Sequence, residues 1–501
     1  MFDSTLRRLR STPVVLAALG AVLVIIVSLI LPRFISSFGL TIIPLALLAF
    51  AALVTLLLLP VHILPAVALA AFALIPPRIL PQDGPIGALP LTTAIIVIWA
   101  IRRLLPTKAD AVGRPTPAPF KSATRYFGLL LLIWTLFALL RTVDLQASLG
   151  WTISFSAAVL LPLCISSSTF EAYWIRRVWL LLGSWLGAYA LLEGVLRFNP
   201  IWGGLFSLLG LRDHQHWSVY RADASFGHPL FAALFFAVAC ALAIGVWLQE
   251  SSKPALVAAV FSGLGLVATV SRGAILAAAV AIGFAYAVSL IIRNEKRWSK
   301  FILLAALMVL AVIALFQFDA FTARNNSFEA ELSAQARDLG VWVSLQAANL
   351  TNWIGSGPGT SGITGRLFND VTIENSLLQL LISIGLPGVM LFLLMIGSAI
   401  AHAISQRAVG AAAAIVAYTV GIAGFNAIDA LRPMHLVLGC LLILALNPAS
   451  AALTSPGQGG QATASRLSPT RLAPTQLTPA YLSPVSRIST RAHPKRGRGR
   501  L

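Results

Sequence analysis

Ionisable side chains are sparse in this chain, and four short stretches gather them beside turn-forming residues. Ser271-Arg272-Gly273-Ala274 puts a guanidinium in a tight link between two apolar runs, and Arg221 precedes the turn Phe226-Gly227-His228-Pro229. Glu374-Asn375 opens a long apolar run that carries Gly385-Leu386-Pro387-Gly388, while Asp429, Arg432 and His435 lie at the outer end of the last two runs. Charged groups at membrane depth are costly, which makes each of them a functional candidate. A guanidinium is a permanently charged fork for phosphate oxygens, and a carboxylate or imidazole can take the proton of a hydroxyl. Arg221 and His228 could therefore bind an anion or relay a proton, and Glu374 could act as a general base.

Each residue also has a plain structural reading. Arg272 suits a snorkelling anchor, Arg221 a solvated arginine, His228 a helix start, Glu374 a capping acid, and Asp429 with Arg432 a salt bridge. A free glutamate titrates near about 4.3, so Glu374 would need burial to work as a base near neutrality. Asp213, His214 and His216 are metal-ligating types, but their spacing fixes no ligand geometry, and the sequence has no Asp-x-Asp pattern. Neither a metal nor a cofactor is expected.

The elements that must position these groups are membrane helices. Of 501 residues, 58% are hydrophobic and 11% charged, more apolar surface than one soluble core of this length can hide. The apolar runs are about as long as a bilayer crossing requires. They predict an all-α bundle of about fourteen transmembrane helices at 14–31, 40–59, 61–77, 89–105, 126–140, 151–167, 178–196, 229–248, 255–270, 273–292, 301–316, 375–401, 408–425 and 431–446. Residues 1–446 form this polytopic domain. The first run follows Arg7, Arg8 and Arg10 and lacks a small-residue cleavage site, so it reads as an anchor whose N-terminus is cytoplasmic. Alternation from there divides the basic residues 25 inside to 11 outside and the acids 5 to 12, with both termini inside. That is the bias expected of cytoplasmic loops. Every outer basic residue is an arginine, although arginine outnumbers lysine throughout the chain. Cys164, Cys240 and Cys440 lie inside apolar runs and read as small core residues.

Two segments depart from the span pattern. The outer loop 317–374 carries Asn326 as an N-cap with Glu329 three residues on. Leu332, Ala336, Leu339, Val343, Ala347 and Leu350 then follow at helical spacing. They predict an amphipathic helix over the bundle or on the membrane surface, ending at Gly355-Ser356-Gly357-Pro358-Gly359. The tail 447–501 has eight basic residues, no acid and a repeated Leu-x-Pro unit, the composition of a disordered chain. Anionic membrane lipid is its expected partner, and nucleic acid is not.

In order and topology these motifs resemble the O-antigen ligase and polymerase superfamily of bacterial membrane glycosyltransferases. Arg221…Phe226-Gly227-His228-Pro229, Ser271-Arg272-Gly273-Ala274, and Gly355–Gly359 leading to Glu374-Asn375…Gly385-Leu386-Pro387-Gly388 carry the resemblance across about residues 180–400. It implies a glycan donor linked to a polyprenyl diphosphate, a glycan or lipid acceptor, and a site on the outer face of the cytoplasmic membrane. Arg221 and Arg272 match the arginines expected on the donor diphosphate. Glu374 stands where ligases carry a histidine, and His228, Asn375, Arg432 and His435 are the expected substrate-side residues. Polysaccharide polymerisation is the expected activity, with ligation of glycan to an acceptor as the alternative. A transporter is the rival of another class, but the halves of the chain show no internal repeat.

Overall fold

A computed structural model describes residues 53–76, 90–105, 122–165, 168–208, 219–293, 328–369, 372–429 and 432–447. The expected spans 14–31 and 301–316, most of 40–59, Asn326, the group Asp213, His214 and His216, and the tail beyond residue 447 lie outside them. Among the described residues all regular structure is helical.

The helices are α1 Leu64–Leu74, α2 Leu91–Leu104, α3 Ala123–Leu139, α4 Leu145–Cys164 with a π turn at Ser156–Leu160, α5 Thr169–Leu196, α6 Trp202–Leu208, α7 Pro229–Glu250, α8 Lys253–Ala268, α9 Arg272–Arg293, α10 Phe328–Leu350, α11 Ser361–Asn369, α12 Ser376–Ser405, α13 Val409–Ile422 and α14 His435–Leu446. Among the described residues, α4, α5, α7, α9 and α12 are long and apolar enough to cross a membrane. Shorter apolar helices, α1, α3, α8, α13 and α14, pack with them.

Helix starts follow local chemistry. Ser168 and Glu171 close a capping box on α5, and Asp144 accepts from the Ala147 N–H to start α4. His228 caps α7, and Pro229 sits where a missing N–H costs nothing. α7 is the axis of the bundle, buried almost throughout between Ala232 and Leu248. Small residues bring neighbours close, as membrane packing requires. Gly245 lies against the Gly410 backbone, and a Cβ on Gly265 would lie 2.7 Å from Gly187 Cα. Cys240 and Cys440 are buried, but Cys164 is exposed where α4 ends, so it is not a core residue.

α12 is broken where its sequence demands it. Gly385 takes φ +69° and ψ −178° inside the helix, a conformation open to glycine alone at low cost. Pro387 has no N–H to give the Ser383 carbonyl. The freed groups are satisfied by the loop after α10 and by α3. Ser356 N–H donates to Ile382 O at 2.8 Å, Gly357 N–H to Ser383 O at 3.0 Å, and Leu386 N–H to Trp353 O at 2.9 Å. The Trp134 indole N–H donates to Ile384 O at 2.7 Å. The glycine-rich loop is therefore the plug of the broken helix.

The amphipathic helix α10 forms, with its buried face rotated from the expected stripe. Val343 and Ala347 are buried with Gly340, Ser344 and Ala348, whereas Leu339 and Leu350 are exposed. The small side chains let α10 sit against Ile373 and Ile382, which turns its larger apolar residues outward.

Candidate functional site

One end of the bundle collects nearly all the residues singled out by the sequence. Arg221 is buried, and its Nε donates to Thr269 O at 3.0 Å, while Ala222 N–H donates to Ala268 O at 3.1 Å. The loop before α7 is thus fastened to the end of α8. Arg272 begins α9 three residues beyond Thr269 and is exposed. The link between them is strained: Val270, a buried β-branched residue, has φ +51°. Strain of this kind persists only where the surroundings over-determine the backbone. Here Thr269 is fully buried, and its hydroxyl donates to Leu266 O at 2.7 Å.

The α12 start reaches the same end through two aromatic residues. Ser376 Oγ donates to Phe425 O at 2.9 Å and accepts from Ala427 N–H at 2.7 Å. The Phe425 ring lies 6.3 Å from Phe231 in the first turn of α7, and Phe231 lies 5.2 Å from His228. At Gly421 on α13 a Cβ would meet Leu234 of α7 and Ala277 of α9, so the starts of α7 and α9 flank the end of α13. Asn375 caps α12 by accepting from Leu377 N–H at 2.9 Å and Leu378 N–H at 3.2 Å. Glu374 keeps about a third of its side chain exposed and pairs with Arg337 of α10 at 3.2 Å. His228 Nδ1 accepts from Leu230 N–H at 3.2 Å, which leaves Nε2 to carry the proton of a neutral ring.

Arg432 and His435 have a different setting. The Arg432 guanidinium lies on the backbone of Gly150, where a Cβ would stand 2.7 Å from Nη1. His435 is buried between Trp151 and Phe155, edge-on to both rings. Its Nε2 donates to Ile428 O at 2.8 Å and its Nδ1 accepts from Ser154 Oγ at 3.1 Å, so both nitrogens are used inside the fold. Asp429 lies between two serines. Its Oδ2 accepts from Ser361 Oγ at 2.5 Å and Ser383 Oγ at 2.9 Å, joining the start of α11 to the turn before the α12 break. Burial pushes this carboxyl above the ordinary aspartate range, and the two serine hydrogen bonds pull the other way.

Glu193 and Asn199 escape a reading of the sequence. Glu193 is fully buried in the last turn of α5 and accepts from Tyr220 OH at 3.0 Å, Asp223 N–H at 3.0 Å and Ala224 N–H at 2.9 Å. Asn199 donates to Asp223 Oδ1 at 2.9 Å and to Ala224 O at 2.7 Å. An acid inside an apolar run is the available signal for Glu193. For Asn199, set in an ordinary turn before a proline, there is none.

Chemically, this end of the bundle offers two arginines on one frame, one of them open to the surroundings, and a partly exposed carboxylate at a helix start. The sequence model of a family described as O-antigen ligase matches residues 257–393. No curated protein matches the chain. The matched stretch holds Arg272, the plug loop, Glu374-Asn375 and the α12 break, and Arg221 is tied directly to it through Thr269. Over residues 257–393, about a quarter of its length, the chain is thus similar to the O-antigen ligase family, and its apolar helices suit a multi-pass membrane protein.

Proposed function

We propose that the chain transfers glycan from a polyprenyl-diphosphate carrier, at the outer face of a bacterial cytoplasmic membrane, in polysaccharide polymerisation. About fourteen spans with both termini cytoplasmic would put the Arg221–Arg272 end outside. An acceptor hydroxyl oxygen attacks the anomeric carbon of the donor sugar. The bond from that carbon to the diphosphate breaks, and the diphosphate leaves with the electron pair. Arg221 and Arg272 stabilise its charge through oriented donors that need no reorganisation. Glu374 takes the hydroxyl proton once bound donor and acceptor cover its partly exposed carboxylate, which Arg337 holds in place. His228 and Asn375 shape the acceptor side from the starts of α7 and α12, and Arg432 and His435 support it from beneath.

The observation that carries this reading is the bond from Arg221 to Thr269, which joins two separate arginine motifs into one frame. Ligation is the second reading, favoured by the family description over the matched residues; Glu374 in place of the ligase histidine favours polymerisation. Glycan profiling of a deletion strain separates them. Single lipid-linked repeat units accumulate if a polymerase is lost, and unattached lipid-linked polymer if a ligase is lost. Unchanged glycans would refute both.

A further inference from the structure

We infer that Glu193 is a positioning residue for Arg221, an inference that rests on the transfer reading above. A buried carboxylate is expensive unless donors surround it, and Glu193 draws all three of its side-chain donors from one loop. Those donors, Tyr220, Asp223 and Ala224, bracket Arg221 on both sides. Ala224 is held at φ +48°, with its N–H on Glu193 and its carbonyl on Asn199. Asn199 in turn uses Oδ1 to accept from Tyr189 OH, Trp202 N–H and Gly203 N–H. α5, α6 and the Arg221 loop are thereby locked in one network. Ser225 Oγ donates to Ala73 O and Phe226 packs on Phe72 and Phe235, which close the far side of the turn. The C-terminal end of α8 fixes the Arg221 side chain, and Glu193 fixes its backbone. None of these residues lies in the stretch that matches the family.

Glu193→Gln keeps the shape but turns an amide donor toward donors, so at least one of the three bonds is lost. The test is a double-mutant cycle on the full-length protein in detergent, with farnesyl diphosphate as the binding probe and glycan assembly in cells as the second readout. Glu193→Gln should weaken probe binding about tenfold, the loss expected when one charge-assisted contact is misplaced. Combined with Arg221→Ala, it should add nothing beyond Arg221→Ala alone; combined with Arg272→Ala, the two losses should multiply. Losses that multiply with Arg221→Ala would reduce Glu193 to a general stability role and overturn the inference. Wild-type binding by Glu193→Gln beside weak binding by Arg221→Ala would overturn it while leaving the arginine reading intact. Wild-type binding by both arginine variants would instead sink the transfer reading. Should Glu193→Gln fail to accumulate, Tyr220→Phe removes a single donor and enters the same cycle, where additivity with Arg221→Ala is the contradicting result.

Discussion

The Nε of Arg221 is 3.0 Å from the carbonyl oxygen of Thr269, three residues before Arg272. Two motifs almost fifty residues apart in sequence therefore move as one body. Arg221→Lys keeps the charge but loses both the fork and this bond. We expect glycan assembly to fall about tenfold or more, on the scale of one lost charge-assisted contact, with protein abundance retained. A radiolabelled glycan assay beside an immunoblot reads both.

The α12 break makes a prediction about stability. A Cβ on Gly385 would overlap Trp353 O and the Ile354 carbonyl, and the backbone there is left-handed. Gly385→Ala should cost about 2–4 kcal/mol, from about 1 for the conformation and the rest from overpacking. Gly397, in the same helix with open space at its Cβ position, is the control. Thermal unfolding in detergent should separate Gly385→Ala from a near-neutral Gly397→Ala.

Much of this architecture was legible in the residues, for identifiable reasons. Gly385 and Pro387 mark the break because one supplies a forbidden φ and the other lacks a donor. The α12 start is legible to within a residue: the sequence offers Glu374 as the capping acid, whereas Asn375 accepts from the Leu377 and Leu378 N–H groups. The plug is not legible, since nothing local says that Gly355–Gly359 must satisfy carbonyls 26 residues away. The buried face of α10 was misplaced because spacing finds large apolar residues, whereas close packing selected Gly340, Ser344 and Ala348. Glu193 and Asn199 act through pairings that no periodicity encodes.

Asp429 sets a pH dependence. Its folded pKa is raised by burial, so the folded state holds the proton more tightly than the unfolded chain. The stability this contributes is fully present below the ordinary aspartate value of about 3.9 and is lost as pH rises through the raised value. Melting temperature in detergent should fall with rising pH over that window. Asp429→Asn, which keeps an acceptor for Ser361 and Ser383, should flatten the curve, and an unchanged slope would remove Asp429 as its source.

Glu374→Gln separates chemistry from folding. Its pair with Arg337 is exposed on both sides, and such pairs contribute at most about 1 kcal/mol. The melting temperature should scarcely move, whereas turnover should drop about 10²–10⁴-fold if the carboxylate takes the proton. Full turnover would remove Glu374 as the proton acceptor.

Arg272 gives the most direct measurement, because its side chain is exposed at the start of α9 and its removal leaves the core untouched. Glycan length in cells carrying Arg272→Ala should collapse to that of the deletion strain, at normal protein abundance. Full-length glycan in that variant would contradict the account at its centre.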